Sequence, residues 1–198
     1  MGCKKSTNTP DIGYAMFKMS DSASGLSLCM NVDPQPRNPR LVNDNVFQIV
    51  TWTKGLGDPH AWPDRQAFLD AFPAETNVLF PVRALHTRKG PVLVRVYSND
   101  DPIDGYAFAT HERLCIAFGI DAITDANRDE VTEDAEATCL GELQSYDDYI
   151  NGQVFRLEIM DAYGNSLEKR RDLYGEDYAR HVAQTVFEQH AYSIAMNG

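Results

Sequence analysis

The densest set of reactive groups in the sequence lies between positions 121 and 148. Asp121, Asp125, Asp129, Glu130, Glu133, Asp134, Glu136, Glu142, Asp147 and Asp148 are ten acids against one base, Arg128, in 28 residues. This stretch carries −9 of the chain's net charge of −11. On a helix, the five carboxylates from Asp129 to Glu136 spread over about 10 Å. That is roughly one charge per 2 Å, close to the ~1.7 Å axial spacing of charge in duplex DNA. Such a face can stand in for a phosphate backbone and attract the basic groove of a nucleic-acid-binding protein. Acids at a helix start also stabilise it through the dipole and keep a protein soluble. The near neutrality of the remaining sequence favours the charge-mimic reading.

A second polar set is distributed over three loops, at 34–45, 57–62 and 99–105. It comprises Asn38, Arg40, Asp44, Asn45, Asp58, His60 and Asp104. If the loops converge, these side chains form a ligand or enzyme site. Metal chemistry has less support. The five histidines show no HExxH pattern, and Asp58-Pro59-His60 supplies two ligands where zinc takes at least three from the protein. The acidic loop from Asp100 to Gly105 fails as an EF-hand because Pro102 occupies a ligand position and no closing Glu follows. Cys3, Cys29, Cys115 and Cys139 form no CxxC pair, and there is no GxSxG elbow. No catalytic residues, metal or cofactor are assigned, and the chain reads more readily as a binder than as an enzyme.

Hydrophobic periodicity places these groups on elements. β-branched and aromatic runs predict strands at 46–52, 78–85, 92–97 and 106–110, with a hairpin joining the middle two. A short helix is expected at 63–72, with Phe68, Leu69 and Phe72 inward, and another at 112–119 closed by Gly119. Val131, Ala135, Cys139, Leu143, Tyr146 and Ile150 recur every three or four residues, which predicts one long helix over 128–149. Strands at 153–161 and 166–173 and a helix at 176–190 complete the order. Three prolines in 34–39 predict an extended loop over 33–45 with no helix. The order is not a regular β–α alternation. It predicts a single α+β domain over 28–198, with a mainly antiparallel sheet and helices packed on one face. The polar segment 1–27 is expected to be flexible.

With 43% apolar and 24% charged residues, 198 residues can bury a core without staples. A pI near 4.8 argues against direct binding of nucleic acid. No apolar run reaches the roughly 18 residues that span a bilayer. The start Met1-Gly2-Cys3-Lys4-Lys5-Ser6 matches a myristoylation pattern. The remaining sequence reads as bacterial or viral, so no membrane attachment is expected and the bacterial cytoplasm is the expected location.

Arg37-Asn38-Pro39-Arg40, Asn43-Asp44-Asn45 and Leu56-Gly57-Asp58-Pro59-His60 occur in that order. Asp104-Gly105-Tyr106, the stretch from Tyr146 to Phe155, and Asp172-Leu173-Tyr174-Gly175 follow. In this series the chain resembles a group of small phage and plasmid proteins with Asn-Pro-Arg, Asp-Asn and Leu-Gly-Asp motifs. It departs from them at Glu168-Lys169-Arg170-Arg171, where they carry a Cys-Trp segment. The resemblance implies a mobile-element origin and no catalytic residues. Small acidic proteins of such elements often antagonise host defence, including restriction and CRISPR enzymes. The first-ranked expectation is therefore an inhibitor of anti-CRISPR or anti-restriction type, which binds a basic protein partner through the acidic helix as a DNA mimic. A ligand site in the three loops is the second, and an accessory phage protein without chemistry the third. The oligomeric state is left open.

Overall fold

The structure, a computed structural model, describes residues 16–98 and 100–197. The Met1-Gly2-Cys3 pattern lies outside the described residues. In chain order the elements are β1 (Phe17–Asp21), β2 (Leu26–Val32), α1 (Pro39–Val42), β3 (Gln48–Thr51), α2 (Arg65–Ala71), β4 (Asn77–Thr87), β5 (Gly90–Arg95), β6 (Gly105–Thr110), α3 (His111–Phe118), α4 (Arg128–Ile150), β7 (Val154–Met160), β8 (Ser166–Tyr174) and α5 (Glu176–Asn197). Helices and antiparallel sheets together give the α+β class expected from the sequence. Two four-stranded sheets are present, and the chain divides into two compact units.

One unit combines residues 16–36 with residues 152–197. Its sheet runs β1-β2-β7-β8, all antiparallel. Leu28, Met30, Leu157 and Ile159 lie on the face that packs against Ala183, Val186 and Phe187 of α5. Residues 17–27, placed in the flexible segment by their polar composition, are β1, a turn and the start of β2. The reason is a short alternation. Phe17 and Met19 fall opposite Met30 and Leu28 in the register and join the core. The Asp21 carboxylate then closes the turn by accepting from the backbone N–H of Ala23 and Ser24 and from the Ser24 hydroxyl.

The other unit is Arg37–Asn151, with the sheet order β3-β6-β4-β5. The α4 stripe packs on one face as expected. Ala135, Cys139, Leu143 and Tyr146 meet Phe47, Ile49, Phe80 and Val82. The buried Cys139 thiol is pushed up to about 12, first by burial, which marks an inert packing residue. The second face is also covered, by Phe68 of α2 with Trp52, Trp62 and Phe72. β6 reads both faces in its sequence. Ala107 and Ala109 let α4 approach closely, while Tyr106 and Phe108 fill the aromatic side. Its end passes into α3 through Thr110, whose hydroxyl accepts from the Arg113 N–H, and Gly119 closes α3 in the left-handed conformation. The loop expected over 33–45 contains a short helix, α1. Pro39 stands at its first position, where its missing N–H costs nothing, and the Asn38 carboxamide caps it. Proline placement, rather than proline number, decides the outcome.

The edge strand β5 is covered by the end of α4. Asp147 accepts from the Leu93 N–H at 2.9 Å, and Asn151 donates to the Pro91 carbonyl at 2.8 Å. Gly90 is required there because a Cβ would lie 1.8 Å from Asn151 Oδ1. Burial pushes the Asp147 carboxyl up to about 6, against the Leu93 hydrogen bond and with a contribution from Asp148. Between pH about 4 and 6 the folded chain therefore binds more protons than the unfolded one. Stability falls as pH rises through that window and stays lower above it. Asp147→Asn keeps the acceptor and removes the buried charge. It is expected to gain about 1–2 kcal/mol at pH 7.5 in urea unfolding and to flatten the profile between pH 4 and 6. An unaltered profile would contradict the buried-carboxylate assignment.

Candidate functional site

The acidic segment divides into an outer and an inner half. Asp121, Asp125, Asp129, Glu130, Glu133 and Asp134 are exposed, on the loop before α4 and its first two turns. Asp125 pairs with Arg128 at 3.1 Å, the one ion pair of this block among the described residues. The remaining four expected binding residues do not join that face. Glu136 is half-buried 3.7 Å from Arg95, whose guanidinium stacks over Phe80. Glu142 turns inward to Arg40, Asp147 is buried against Leu93, and Asp148 is half-buried and bonded to Gln144. Helical geometry accounts for this. Glu142 lies three residues after Cys139 and four before Tyr146, and Asp147 lies four after Leu143, so both share the face of the apolar stripe.

The loops at 34–45 and 57–62 converge, and Arg40 is the reason. Its side chain is 4% exposed, and Asp58 and Glu142 are 15% and 13% exposed. Arg40 Nε and Nη2 donate to the two oxygens of Asp58 at 3.0 and 2.8 Å. Nη1 donates to Glu142 Oε2 at 2.8 Å, and Nη2 also donates to the Phe47 carbonyl. Burial opposes the charge on Arg40, but the hydrogen bonds and charges of Asp58 and Glu142 outweigh it and hold the guanidinium's pKa raised. Both carboxylates are engaged a second time by backbone. Glu142 accepts from the Val46 N–H at 2.6 Å, and Asp58 accepts from the Ile49 N–H at 2.8 Å. Asp58 also donates its own N–H to the Ile49 carbonyl at 2.7 Å. It thus pairs with the edge of β3 in place of a neighbouring strand. Gly57 makes this approach possible. Its φ is +81°, a Cβ would meet the Ile49 carbonyl at 2.8 Å, and its N–H donates to the Tyr146 hydroxyl.

The other members of the polar set are used locally. Asn38 caps α1, and Asn45 donates to the carbonyls of Pro39 and Asn43. Asp44 is exposed beside Arg113 at 3.8 Å. His60 Nε2 donates to the Thr51 carbonyl at 2.9 Å, and its ring stacks on Trp62. Asp104 does not join them. It accepts from the Ala84 N–H and extends the β6 ladder to Val82. Next to the Arg40 cluster lies an open groove of about 690 Å³, lined by α1, the 43–48 segment and the start of α3. Among the described residues no group of three metal-ligating side chains occurs. Asp58 and Glu142 already hold a guanidinium and backbone N–H groups, so neither is free to act as a general base without dismantling the fold.

Glu142 as the second partner of Arg40, Tyr146 as the support of Gly57, and Arg113 on the groove are positions of this candidate site that the sequence alone does not connect. Glu142 carried a signal, since it lies three residues from Cys139 and four from Tyr146 on the inward helix face. In comparisons with known proteins, no family model matches the chain, and neither does any curated sequence or solved structure.

Removing one member of a buried ion cluster leaves the others uncompensated. Arg40→Met is expected to destabilise the protein by about 3–5 kcal/mol in urea unfolding. Asp129→Asn, on the exposed face, is expected to change it by less than about 0.5 kcal/mol. Equal effects of the two substitutions would contradict the structural role of Arg40.

Proposed function

We propose that this protein is a non-catalytic binder that engages the basic, nucleic-acid-handling surface of a partner protein through the outer half of its acidic segment. The observation that carries the reading is the block of six exposed carboxylates, Asp121, Asp125, Asp129, Glu130, Glu133 and Asp134, with Arg128 as its one paired base. Four of them fall within five helical rises, about 7.5 Å, so the charge spacing of about one per 2 Å persists without Glu136. The resemblance to phage and plasmid proteins supports a defence or host enzyme of a bacterium as the partner class, with the protein acting as a restriction or CRISPR antagonist. The internal use of Arg40, Asp58, Asn38 and Asn45 weighs against an enzyme built on the loops. The groove beside them keeps a second reading, ligand binding, in view.

The test is a pull-down from a host expressing restriction and CRISPR enzymes, followed by competition with duplex DNA. The captured protein is expected to be basic and to be displaced by DNA. Reversing Asp129, Glu130, Glu133 and Asp134 to Lys is expected to weaken binding by at least about 100-fold while the circular dichroism spectrum is retained. Wild-type binding is expected to fall steeply between 50 and 500 mM salt, because exposed charges act over roughly 10 Å at 0.1 M. Salt-insensitive capture, or a folded reversal variant that binds as before, would remove the acidic face from the mechanism.

A further inference from the structure

The groove next to Arg40 has a character of its own. Phe47, Phe72 and Phe108 line it, so its interior is apolar and aromatic. Two large aliphatic side chains on separate elements line the same depression and project into solvent: Leu41 of α1, 78% exposed, and Ile116 of α3, 76% exposed. A chain segment lying across it would cover both and place a side chain between them. The charges on the groove are net acidic, with Asp44, Asp58 and Glu112 against Arg40 and Arg113. Asp44 is fully exposed, and Glu112 is exposed in the first turn of α3. Arg40 is held by Asp58 and Glu142, whereas Arg113 is 54% exposed, donates to the Asn45 carbonyl and keeps its charge 3.8 Å from Asp44, which leaves Glu112 as the acid with no base opposite it in the lining. The walls are pre-organised, because the Arg40 cluster fixes the 43–48 segment and Thr110 caps α3.

We infer that this groove is a docking site for a cationic apolar peptide segment of a partner protein, in which an aromatic or aliphatic side chain enters between Leu41 and Ile116 and a flanking Arg or Lys meets Asp44 and Glu112. The site is separate from the acidic face of α4, and the inference stands whether or not that face binds a partner. Burial of apolar area gives the affinity here, and the two carboxylates give the preference of sign.

The experiment titrates the full-length ¹⁵N-labelled protein with three probes: acetylated Arg-Leu-Phe-Arg amide, Glu-Leu-Phe-Glu amide and Arg-Ser-Ser-Arg amide. The first is expected to give saturable shifts at the amides of Phe47, Ala109 and Ile116, and to bind at least tenfold more tightly than the other two. Leu41→Ser with Ile116→Ser, both at exposed positions, should weaken it at least tenfold with the remaining spectrum unchanged. Asp44→Lys with Glu112→Lys should invert the preference toward the acidic peptide. Equal binding of the three peptides, no saturable shift at millimolar peptide, or shifts confined to the α4 carboxylates would overturn the proposal. So would a concentration-dependent dimer in sedimentation that the Leu41→Ser, Ile116→Ser variant abolishes, since the occupant would then be a second copy.

Discussion

A guanidinium buried between two carboxylates sets the constraint on which the Arg37–Asn151 unit depends. Once Arg40 is withdrawn from water, every strong acceptor it needs must be delivered to it. Asp58 arrives from the turn after β3, Glu142 from the middle of α4, and the Phe47 carbonyl from the segment before β3. Each of these is then fixed by a second bond, so the loop, the sheet edge and the helix hold one another in register. The net charge of the three side chains is −1, and the Val46 and Ile49 N–H groups supply the remaining donors. A cluster satisfied in this way is rigid, and breaking one link exposes the cost of all the others.

The same constraint explains why α4 is two helices in chemical terms. Its second half spends its acids internally. Glu142 holds Arg40, and Asp147 caps the exposed edge of β5. Its first two turns keep Asp129, Glu130, Glu133 and Asp134 in solvent. The Asn-Pro-Arg, Asp-Asn and Leu-Gly-Asp motifs also acquire a physical reading. Asn-Pro-Arg builds and caps α1 and presents Arg40, Asp-Asn ties the following segment, and Leu-Gly-Asp brings Asp58 to the β3 edge. They are parts of a scaffold that shapes a groove.

Strands β3 to β8 and helices α2 to α5 were legible because periodicity survives in a single sequence, and the buried stripe of α4 matches the residues expected for it. Pairing was not legible. The register that joins β1 and β2 to β7 depends on residues more than a hundred positions away, so the polar composition around Phe17 and Met19 concealed a strand. α1 was missed because a proline at a first helical position and one in a helix interior look alike until the cap is seen. The ten acids could be counted but not oriented. Half of that ambiguity was removable, since Glu142 and Asp147 border the apolar stripe. The other half required knowing that Arg40 lies opposite. Of the polar loop set the structure joins Arg40 to Asp58, and only the three-dimensional arrangement distinguishes side chains presented to a ligand from those consumed by backbone.

The cooperative role of the buried cluster is tested most directly by a double-mutant cycle between Arg40→Gln and Glu142→Gln, read by urea unfolding at pH 7. If the two charges support one another in a dry setting, each single substitution strands its partner. The double variant is then less damaged than the sum, with a coupling of about 2 kcal/mol or more. Effects additive to within about 0.5 kcal/mol would mean that the two charges act independently, and Arg40 would lose its place as the organising residue of the fold.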